Sequence, residues 1–523
     1  MEAVSPLKED RQERPQDEGG DRTSRIPLLS RDSTVYTIYA LAIAASVSLW
    51  LLPIQSPLRL DELGTYWQIM AGVSQIWARH FVTLSSPEHA FILWLSTKTF
   101  GTSEIALRIP SILAMLGAVY VLYLAARELF ERDVAIVAAI VFALHPIVIF
   151  ESIDARPYAF AALATSTAIL VLLRLRRSNS GWLAALFGLS AASIVWFQFL
   201  FVDILPALVL CFFVIKARDP KTLWRQFAIA FATFTFACLP VIPIMLYLFR
   251  TSKTHVYETA PNLSDLALTL APGWHLIALC ITCFVALLVS ALSRRPSFLG
   301  PFHGWQLIVC ASLAFIPISI LFGVSVGTSL HIFTTCHRMD AIPGIALCWA
   351  LLLSRLRNRN LRLLFSIALV AVTSVTLLEA RRPNTSVHGY AWKYALEYVQ
   401  RNASADNAPV VICSDFPEAD YVTMPLDSAK ESKLFAQLSY YKLSVPVVPL
   451  PRALNDEAVR VGSSFLHEAA QKHERFLALA NEPSYKTLDW LAQNSAATYS
   501  VRKLGVFDGV EVLEFVPRST TKD

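Results

Sequence analysis

Three charged side chains lie within four residues of one another near the start of the chain, in the stretch LRLDELGTYW, 58–67. Arg59, Asp61 and Glu62 follow an apolar segment that is long enough to cross a membrane. A carboxylate at such a place can take a proton from a hydroxyl group during a displacement reaction. The plain alternative is the charged start of a solvated loop, and these residues alone do not decide between the two.

Two further stretches combine charged and aromatic residues beside apolar runs. The first reads FESIDARPYAF and carries Glu151, Asp154, Arg156 and Tyr158. The second reads HIFTTCHRMDAIP and carries His331, His337, Arg338 and Asp340. Charges so close to lipid are costly unless they line a polar cavity or pair with one another. Carboxylates supply a base and guanidinium groups hold phosphate, so the three stretches together indicate a site for an anionic, membrane-borne substrate.

Each of these residues also has a simpler interpretation. Arg156 and Arg338 would anchor the ends of helices at the membrane surface if they only extend their charges to water. Glu151 and Asp154 would pair with Arg156 across one helical turn. A surface histidine is the commoner role for a residue such as His337. The sequence leaves these alternatives open for each residue taken singly.

The composition predicts a polytopic membrane protein. Of the 523 residues, 55% are hydrophobic and 16% charged, and the mean hydropathy is +0.48. A soluble domain of this size does not carry so much apolar surface. The net charge of +5 gives no reason to expect nucleic acid as a partner. The eight cysteines lie mostly in apolar runs and predict neither a disulfide framework nor a metal site.

Eleven membrane-spanning segments are predicted, at about 34–53, 107–127, 134–150, 157–173, 182–199, 201–215, 226–249, 267–292, 305–328, 339–353 and 362–379. Basic residues concentrate in alternate loops, and this bias places the N-terminus in the cytoplasm. An odd number of spans then places the C-terminus outside. The run 90–101 is too short to span and contains Lys98, so it is predicted to be an interfacial helix in a long first outer loop, 54–106.

Three domains are predicted from this organisation. Residues 1–32 are charged and rich in Pro and Gly, which predicts a disordered cytoplasmic tail. Residues 33–380 form the transmembrane domain. Residues 381–523 are predicted to be a small extracytoplasmic α/β domain, with a helix at WKYALEYVQRNA and strands at PVVICSD, RFLALA and GVEVLEFV.

The order of these motifs resembles that of the GT-C class of membrane glycosyltransferases, in particular the protein mannosyltransferase and aminoarabinose-transferase-like family. The resemblance is carried by RLDELGTYW and by the run from FGTSEIALRIP to FESIDARPYAFAAL, over about residues 55–175. The later stretch HRMDAIP is similar to the family's outer Arg-Tyr loop, with Met339 in place of the usual tyrosine. The resemblance implies a polytopic α-helical fold of the GT-C type. It also implies an inverting transfer of a sugar from a polyprenyl-phosphate carrier to an acceptor on the outer membrane face.

The resemblance also implies roles for individual residues. Asp61 matches the family's catalytic base, Glu62 matches its usual neighbour, and we predict both as catalytic. Arg108 matches an arginine that opens the second span, a structural position. Donor phosphate binding is implied for Asp154, Arg156, Tyr158 and Arg338, with Glu151, His337 and His89 as additional candidates. His89 lies in SSPEHAFILW, where the family often has a His-Pro-Pro or Lys-Pro-Pro run, and this departure leaves the sugar and the acceptor open.

The predicted partners are a polyprenyl-phosphate-linked sugar donor, membrane lipids and a lipid, glycan or protein acceptor. No cofactor is predicted, because an arginine pair can neutralise the phosphate by preorganised electrostatics, although a divalent metal ion is left open. The compact outer domain favours a bacterial inner-membrane enzyme with a cytoplasmic N-terminus and a periplasmic C-terminal domain. A transporter, flippase or binding protein for lipid-linked sugars is the alternative, and a transporter would require broken helices in two matching halves.

Overall fold

The computed structural model describes residues 31–83, 85–217, 220–251, 260–270, 304–355, 392–420 and 431–518, together with positions 367, 371 and 375. The predicted tail lies almost wholly outside the described residues, as do the domain boundary at 380/381 and most of the predicted spans 267–292 and 362–379. The described chain consists of a helical part, up to Ser354, and a part built around one sheet, from Trp392 onward.

Helices make up the first part, and their bounds are α1 Arg31–Leu51, α2 Leu60–Met70, α3 Val73–Thr83, α4 Pro87–Phe100, α5 Glu104–Leu129, α6 Arg132–Leu144, α7 Pro146–Glu151, α8 Tyr158–Leu175, α9 Gly181–Phe197, α10 Leu205–Lys216, α11 Pro220–Cys238, α12 Ile242–Thr251, α13 Leu263–Leu270, α14 Gly304–Gly327 and α15 Ile342–Ser354. Short 3-10 turns connect some of them, at Phe199–Ile204, Leu239–Val241 and Cys336–Ala341. Alanine, leucine, valine and isoleucine dominate the core between these helices.

Within the described residues, six helical segments are long and apolar enough to cross a membrane: Glu104–Leu129, Tyr158–Leu175, Phe199–Lys216, Thr222–Leu248, Gly304–Gly327 and Cys336–Ser354. Two shorter apolar helices accompany them, Tyr39–Leu51 and Gly181–Phe197. The chain is an integral membrane protein, and the predicted polytopic helical architecture is confirmed. The number of eleven spans stays a prediction.

A break divides the predicted span 134–150 into α6 and α7. Pro146 has no N–H group and disfavours a helical conformation in the residue before it. His145 is accordingly extended, with φ −64° and ψ 130°. Its Nδ1 accepts a hydrogen bond of 3.3 Å from the N–H of Ile147, and its Nε2 lies 3.3 Å from the carbonyl oxygen of Thr269. The break redirects the chain into the loop that carries Asp154 and Arg156.

The first outer loop contains α2, α3 and α4. The interfacial helix predicted from residue 90 begins earlier, at Pro87, because Ser86 caps it by accepting a hydrogen bond of 3.1 Å from the N–H of His89. Proline at the first helical position fits this start. Large apolar side chains on α4 are exposed, among them Phe91, Leu95 and Phe100. Its position at the membrane surface stays a prediction.

The second part contains helices and a five-stranded sheet, with the bounds α16 Trp392–Ala403, β1 Val410–Cys413, α17 Ala436–Tyr440, β2 Val447–Leu450, α18 Asp456–Lys472, β3 Phe476–Asn481, α19 Tyr485–Ser495, β4 Tyr499–Phe507 and β5 Val510–Pro517. The strand order is β2-β1-β3-β5-β4. Strand β1 runs parallel to β2 and β3, whereas β5 runs antiparallel to β3 and β4. The predicted α16, β1, β3 and β5 are confirmed, and β2 and β4 are additional strands.

The sheet domain packs directly on α2. One hydrophobic cluster joins side chains from both, including Leu63 and Trp67 of α2 with Phe416 and Leu434 of the sheet domain. Hydrogen bonds reinforce the contact. The N–H of Leu58 donates to the Tyr441 hydroxyl at 2.9 Å, and the indole N–H of Trp67 donates to the carbonyl of Glu431 at 2.7 Å. The position of α2 therefore depends on both parts of the chain.

Candidate functional site

An ion pair between Arg108 of α5 and Glu62 of α2 forms the framework of the site. The Arg108 guanidinium donates to both carboxylate oxygens of Glu62, at 3.0 and 2.8 Å, and both side chains are 1% exposed. The same guanidinium donates to the carbonyls of Ile54 and Ser56 at 2.8 Å and of Pro57 at 3.2 Å. The turn that leads into α2 is thus folded around one buried cation. The predicted structural role of Arg108 agrees with these contacts.

Glu62 accepts two more hydrogen bonds, from the backbone N–H groups of Arg59 at 2.8 Å and Ala155 at 2.9 Å. Burial by itself would raise the pKa of this carboxyl group, but the charge and hydrogen bonds of Arg108, with help from Arg59, lower it to about 2. Glu62 is therefore a buried carboxylate that joins the first outer loop to the second. These contacts give it a structural position, and its predicted catalytic role stays a prediction.

Arg59 neutralises the acidic residues of the second loop. Its guanidinium is hydrogen-bonded to the Asp154 carboxylate, and it lies 3.8 Å from a carboxylate oxygen of Glu151. It also lies over the Phe150 ring, 4.5 Å from the ring centroid. The ion-pair partner of Asp154 is thus Arg59 and not Arg156, whereas the charges of both arginines act on Glu151. The sequence pointed to Arg59 as a charged neighbour of Asp61, but its partner 95 residues away had no local signal.

Asp61 has a different environment from Glu62, although the two are adjacent in sequence. Its side chain is exposed, in the first turn of α2. Arg156 approaches from the second loop, with its guanidinium 3.5 Å from the carbonyl oxygen of Asp61 and close enough to interact with the Asp61 charge. The ring of Tyr158 lies 5.8 Å from this guanidinium. Predicted base and predicted phosphate ligand are thus neighbours in space.

Arg338 is held by neutral groups. It donates to the Thr334 carbonyl at 3.1 Å, the Thr335 hydroxyl at 3.0 Å, and the Thr269 hydroxyl at 2.5 Å. Its guanidinium also lies 4.9 Å from the centroid of the Phe333 ring. Within the described ranges, no carboxylate side chain lies within 4.0 Å of the guanidinium of Arg156 or Arg338. The charges of Asp61 and Asp265 act on Arg156 and Arg338 respectively from a greater distance, so neither arginine forms a close ion pair.

Cys336 lies near both arginines. Both guanidinium groups are close enough to interact electrostatically with its thiol, which also contacts Tyr158 and His337. The thiol lies 3.3 Å from the hydroxyl of Thr334, and His337 Nδ1 lies 2.8 Å from the same hydroxyl. Cys336 was absent from the predicted site residues. Cys336 comes close to Arg156 only because the two loops pack together in the fold, and the local sequence gave no signal for this.

His89 lies behind Arg156, at the start of α4. The side chain is fully buried, and its ring packs against Phe160 with 5.5 Å between the centroids. Burial, and then the charge of Arg156, lower the pKa of His89 to about 3, so the ring is neutral at pH 7. Neither ring nitrogen has a hydrogen-bond partner among the described residues. The structure places this additional candidate beside Arg156, away from solvent.

The chain is similar to proteins of a known fold. The family of dolichyl-phosphate-mannose-protein mannosyltransferases matches residues 85–247, less than half of the chain. The structure is similar to two crystal structures of ArnT from Cupriavidus metallidurans, one in the apo state and one bound to undecaprenyl phosphate, with TM-scores of 0.56 and 0.53. Both comparisons cover 92% of this chain and 98% of that chain, at 12% identity. The fold is that of a GT-C membrane glycosyltransferase.

The GT-C fold predicted from the motifs is therefore confirmed, together with the helical membrane part and the small C-terminal sheet domain. No curated protein is similar to the chain in sequence. The low identity to ArnT means that this comparison establishes the fold alone. The roles of single residues must therefore be inferred from the geometry of their side chains in this chain.

Replacing Glu62 by glutamine tests the framework of the site. Glutamine leaves the Arg108 charge buried without a counter-ion, and breaking such a pair costs about 3–5 kcal/mol. We expect a marked decrease in the thermal unfolding midpoint of purified Glu62→Gln at pH 7. Since the pKa of Glu62 is lowered from 4.5 to about 2, its stabilisation is complete above about pH 4.5 and is lost as the pH falls towards 2. A series of unfolding midpoints at decreasing pH should show this loss in the wild type and not in the variant.

Glu468→Gln is the matched control. Glu468 pairs with Lys472 at 2.6 Å on the exposed side of α18, so its removal should change the midpoint little. Equal midpoints for Glu62→Gln and Glu468→Gln would contradict the framework role.

Proposed function

We propose that this chain is an inverting glycosyltransferase that moves a sugar from a polyprenyl-phosphate carrier to an acceptor at the outer membrane face. The observation that supports this most is the pairing of charges in the site. Glu62 and Asp154 are neutralised by arginines within the protein, whereas Asp61 is exposed beside Arg156. An exposed carboxylate beside a guanidinium group that forms no close ion pair is the arrangement that a base and an anionic leaving group require.

Arg156 and Arg338 bind the carrier phosphate in this proposal. A guanidinium group offers two parallel N–H donors to phosphate oxygens, and no described carboxylate side chain lies within 4.0 Å of either guanidinium. The Thr269, Thr334 and Thr335 contacts hold the Arg338 side chain without cancelling its charge. Tyr158 is buried, and its ring centroid lies 5.8 Å from the Arg156 guanidinium. The two arginines thus form a preorganised anion site.

Asp61 is the base of a single displacement. The acceptor oxygen attacks the anomeric carbon of the sugar, its proton passes to the Asp61 carboxylate, and the bond between that carbon and the phosphate oxygen breaks. The polyprenyl phosphate leaves with the bonding electron pair. Its oxygen gains negative charge as the bond breaks, so the arginines stabilise the transition state more than the bound donor. One base without a second nucleophile gives inversion at the anomeric carbon. We assign Glu62 to the framework that positions Asp61.

We further propose that the enzyme lies in a bacterial inner membrane, with its N-terminus in the cytoplasm and the sheet domain in the periplasm. The bias of basic residues among the loops supports this orientation. The reaction as proposed requires no cofactor. The sugar-linked donor and a lipid, glycan or protein acceptor are its partners.

Asp61→Asn should preserve the fold and remove the proton acceptor. We expect sugar transfer to fall by at least about 100-fold, in line with the contribution of a general base. The measurement is transfer of radiolabelled sugar from endogenous polyprenyl-phosphate donors in membranes that contain equal amounts of folded protein. Asp489→Asn, an exposed position on α19, is the control and should retain wild-type transfer. Near-normal transfer by Asp61→Asn would exclude Asp61 as the base.

Arg156→Ala and Arg338→Ala should each weaken binding of undecaprenyl phosphate and lower kcat as well. A hydrogen bond to a charged group contributes about 1.5–3 kcal/mol, which predicts a rise in Kd of roughly tenfold or more for each variant. Lysine at either position should restore part of the binding, because the charge remains and the two-pronged geometry is lost. Native mass spectrometry with added undecaprenyl phosphate, together with transfer per folded molecule, measures both quantities.

The control for the arginine variants is Arg401→Ala, which removes an exposed arginine of α16. If Arg156 and Arg338 merely anchored helix ends, alanine would reduce thermal stability, lysine would restore it in full, and transfer per folded molecule would stay constant. That result would overturn the proposed phosphate site.

The orientation can be tested by thiol labelling of intact cells. Ser464→Cys lies on the exposed side of α18 in the sheet domain, and Asn179→Cys lies in the exposed turn between α8 and α9. In a chain whose native cysteines are replaced, we expect a membrane-impermeant reagent to label position 464 and not position 179. Labelling of position 179 alone would reverse the orientation and place the site on the cytoplasmic face.

A further inference from the structure

Two buried aspartates near the proposed phosphate site take no part in the displacement itself. Asp203 lies in the 3-10 turn Phe199–Ile204, and Asp340 lies in the turn Cys336–Ala341, which also carries Arg338. The two turns contact each other and α14. The exposed fractions of Asp203 and Asp340 are 5% and 0%. Acidic side chains at such depth beside a membrane are costly, so a compensating interaction is expected.

The carboxyl groups of Asp203 and Asp340 lie within hydrogen-bond reach of each other. Backbone N–H groups of Ile204 and Ala341 are also close, but among the described residues no donor completes a well-formed hydrogen bond to any of the four carboxyl oxygens. An ionised carboxylate only accepts hydrogen bonds, so two ionised groups here would repel each other without a compensating bond. The contact is stable when a proton or another cation lies between the two groups.

The helices packed around the two turns bring few charges towards this pair. Helices α9, α14 and α15 contain no acidic residue, lysine, arginine or histidine. The basic residues of α8 and α10, Arg174 and Lys216, lie in the last turns of these helices. At the outer ends of α8 and α7, Tyr158 contacts the Cys336 thiol and Glu151 lies 3.8 Å from the Arg59 guanidinium. These helices thus supply no close ion-pair partner for the two aspartates.

The turn that carries Asp340 brings a histidine to the pair. The imidazole of His337 interacts electrostatically with Asp203. The other ionisable side chains of this turn, Cys336 and Arg338, interact with each other, and Asp265 acts on Arg338. Two carboxyl groups that share one proton carry a single negative charge, which a protonated His337 balances. Two ionised carboxylates would instead leave an excess negative charge in a site that is proposed to bind an anion.

A proton fits this contact better than a metal ion does. Zinc is held by three or more protein ligands, and the described residues contain no group of three histidine, cysteine or acidic side chains arranged to hold a metal ion. Magnesium keeps several water ligands, whereas both aspartates are almost fully buried. Two carboxyl groups at such short range in a medium of low polarity do not both ionise, and they retain a proton between them.

We propose that Asp203 and Asp340 share one proton, and that this hydrogen bond holds the turn Cys336–Ala341 in the position from which Arg338 faces the carrier phosphate. The inference rests on the proposed function, because it assigns the pair to the phosphate site. Asp203 and Asp340 are positioning residues. The threonine contacts hold the Arg338 guanidinium, and the aspartate pair holds the turn that carries it to the neighbouring turn.

Infrared spectroscopy of the full-length protein in nanodiscs at pH 7 tests the shared proton. We expect the wild type to show the C=O stretching band of a protonated carboxyl group that is lost in both Asp203→Asn and Asp340→Asn, because either amide can donate to the remaining carboxylate. The double variant should lose no further band. Two ionised aspartates would lose no such band in either variant, and two separate acids would lose a second band in the double variant. Either result would overturn the shared proton, as would a metal ion that copurifies with the wild type and is absent from both single variants.

Binding of undecaprenyl phosphate, measured by native mass spectrometry, tests the positioning role. Asp340→Ala removes the hydrogen bond and leaves Asp203 buried without its partner, so we expect Kd to rise roughly tenfold. Asp340→Asn keeps a hydrogen bond to Asp203 and should bind as the wild type does. Asp489→Ala, an exposed position on α19, is the control. Wild-type affinity in folded Asp340→Ala, or equally weak binding by the alanine and asparagine variants, would exclude the positioning role.

Alkylation of Cys336 reports on the same turn without any donor. In a chain whose other cysteines are replaced, Asp340→Ala should increase the labelling rate of Cys336 by a similar factor, since the turn opens more often, and Asp340→Asn should leave it unchanged. Equal rates in the wild type and Asp340→Ala would show that the pair does not hold the turn. Failure of the wild type to bind undecaprenyl phosphate would count against the proposed function, whereas the infrared and labelling results would still decide whether a shared proton fixes the turn.

Discussion

The buried ion pair between Arg108 and Glu62 is the interaction on which the rest of the site depends. Arg108 belongs to α5, whereas Glu62 belongs to α2 and also accepts a hydrogen bond from Ala155 in the second loop. One pair therefore joins a membrane helix and two outer loops. A buried ion pair adds little net stability compared with apolar packing, but removal of one partner is costly, so the pair fixes geometry more than it adds free energy. Because the Glu62 side chain points inward, the side chain of its neighbour Asp61 lies on the exposed side of the same helix.

The charged residues of the site form two groups, those with a close ion-pair partner and those without one. Glu62 and Asp154 each have an arginine partner, so these acids position the loops and add no net negative charge. Arg156 and Arg338 have no carboxylate side chain within 4.0 Å among the described residues, although the charges of Asp61 and Asp265 act on them from a greater distance. A membrane-bordering site with unpaired arginines is unfavourable when empty and favourable when an anion is bound. In the proposed function, the same electrostatics would bind a negatively charged, membrane-borne ligand and stabilise a departing phosphate.

The sequence predicted the elements of this fold better than their contacts. Apolar runs and motif order were sufficient for the membrane part and its class, and helical periodicity located α16. The roles of Asp61 and Glu62 could not be separated, because adjacent carboxylates differ only in what each faces after α2 has docked. Local spacing suggested Arg156 as the partner of Asp154, whereas the actual partner, Arg59, is 95 residues away. Strand β4 is an edge strand with several exposed polar residues, so it lacked the apolar alternation that identifies strands.

The sheet domain is part of the site because α2 cannot hold its position alone. A helix of 11 residues is marginal in isolation, and tertiary contacts must supply its stability. Its buried face, including Leu63 and Trp67, packs on side chains of the sheet domain in one shared core. The sheet domain therefore helps to set the orientation of α2, and with it the position of the Asp61 side chain relative to Arg156. The same contact brings Phe416, which follows β1, within 3.7 Å of a Cβ atom placed at Gly64, one helical turn after Asp61, so a side chain of the sheet domain borders the face of α2 that carries Asp61.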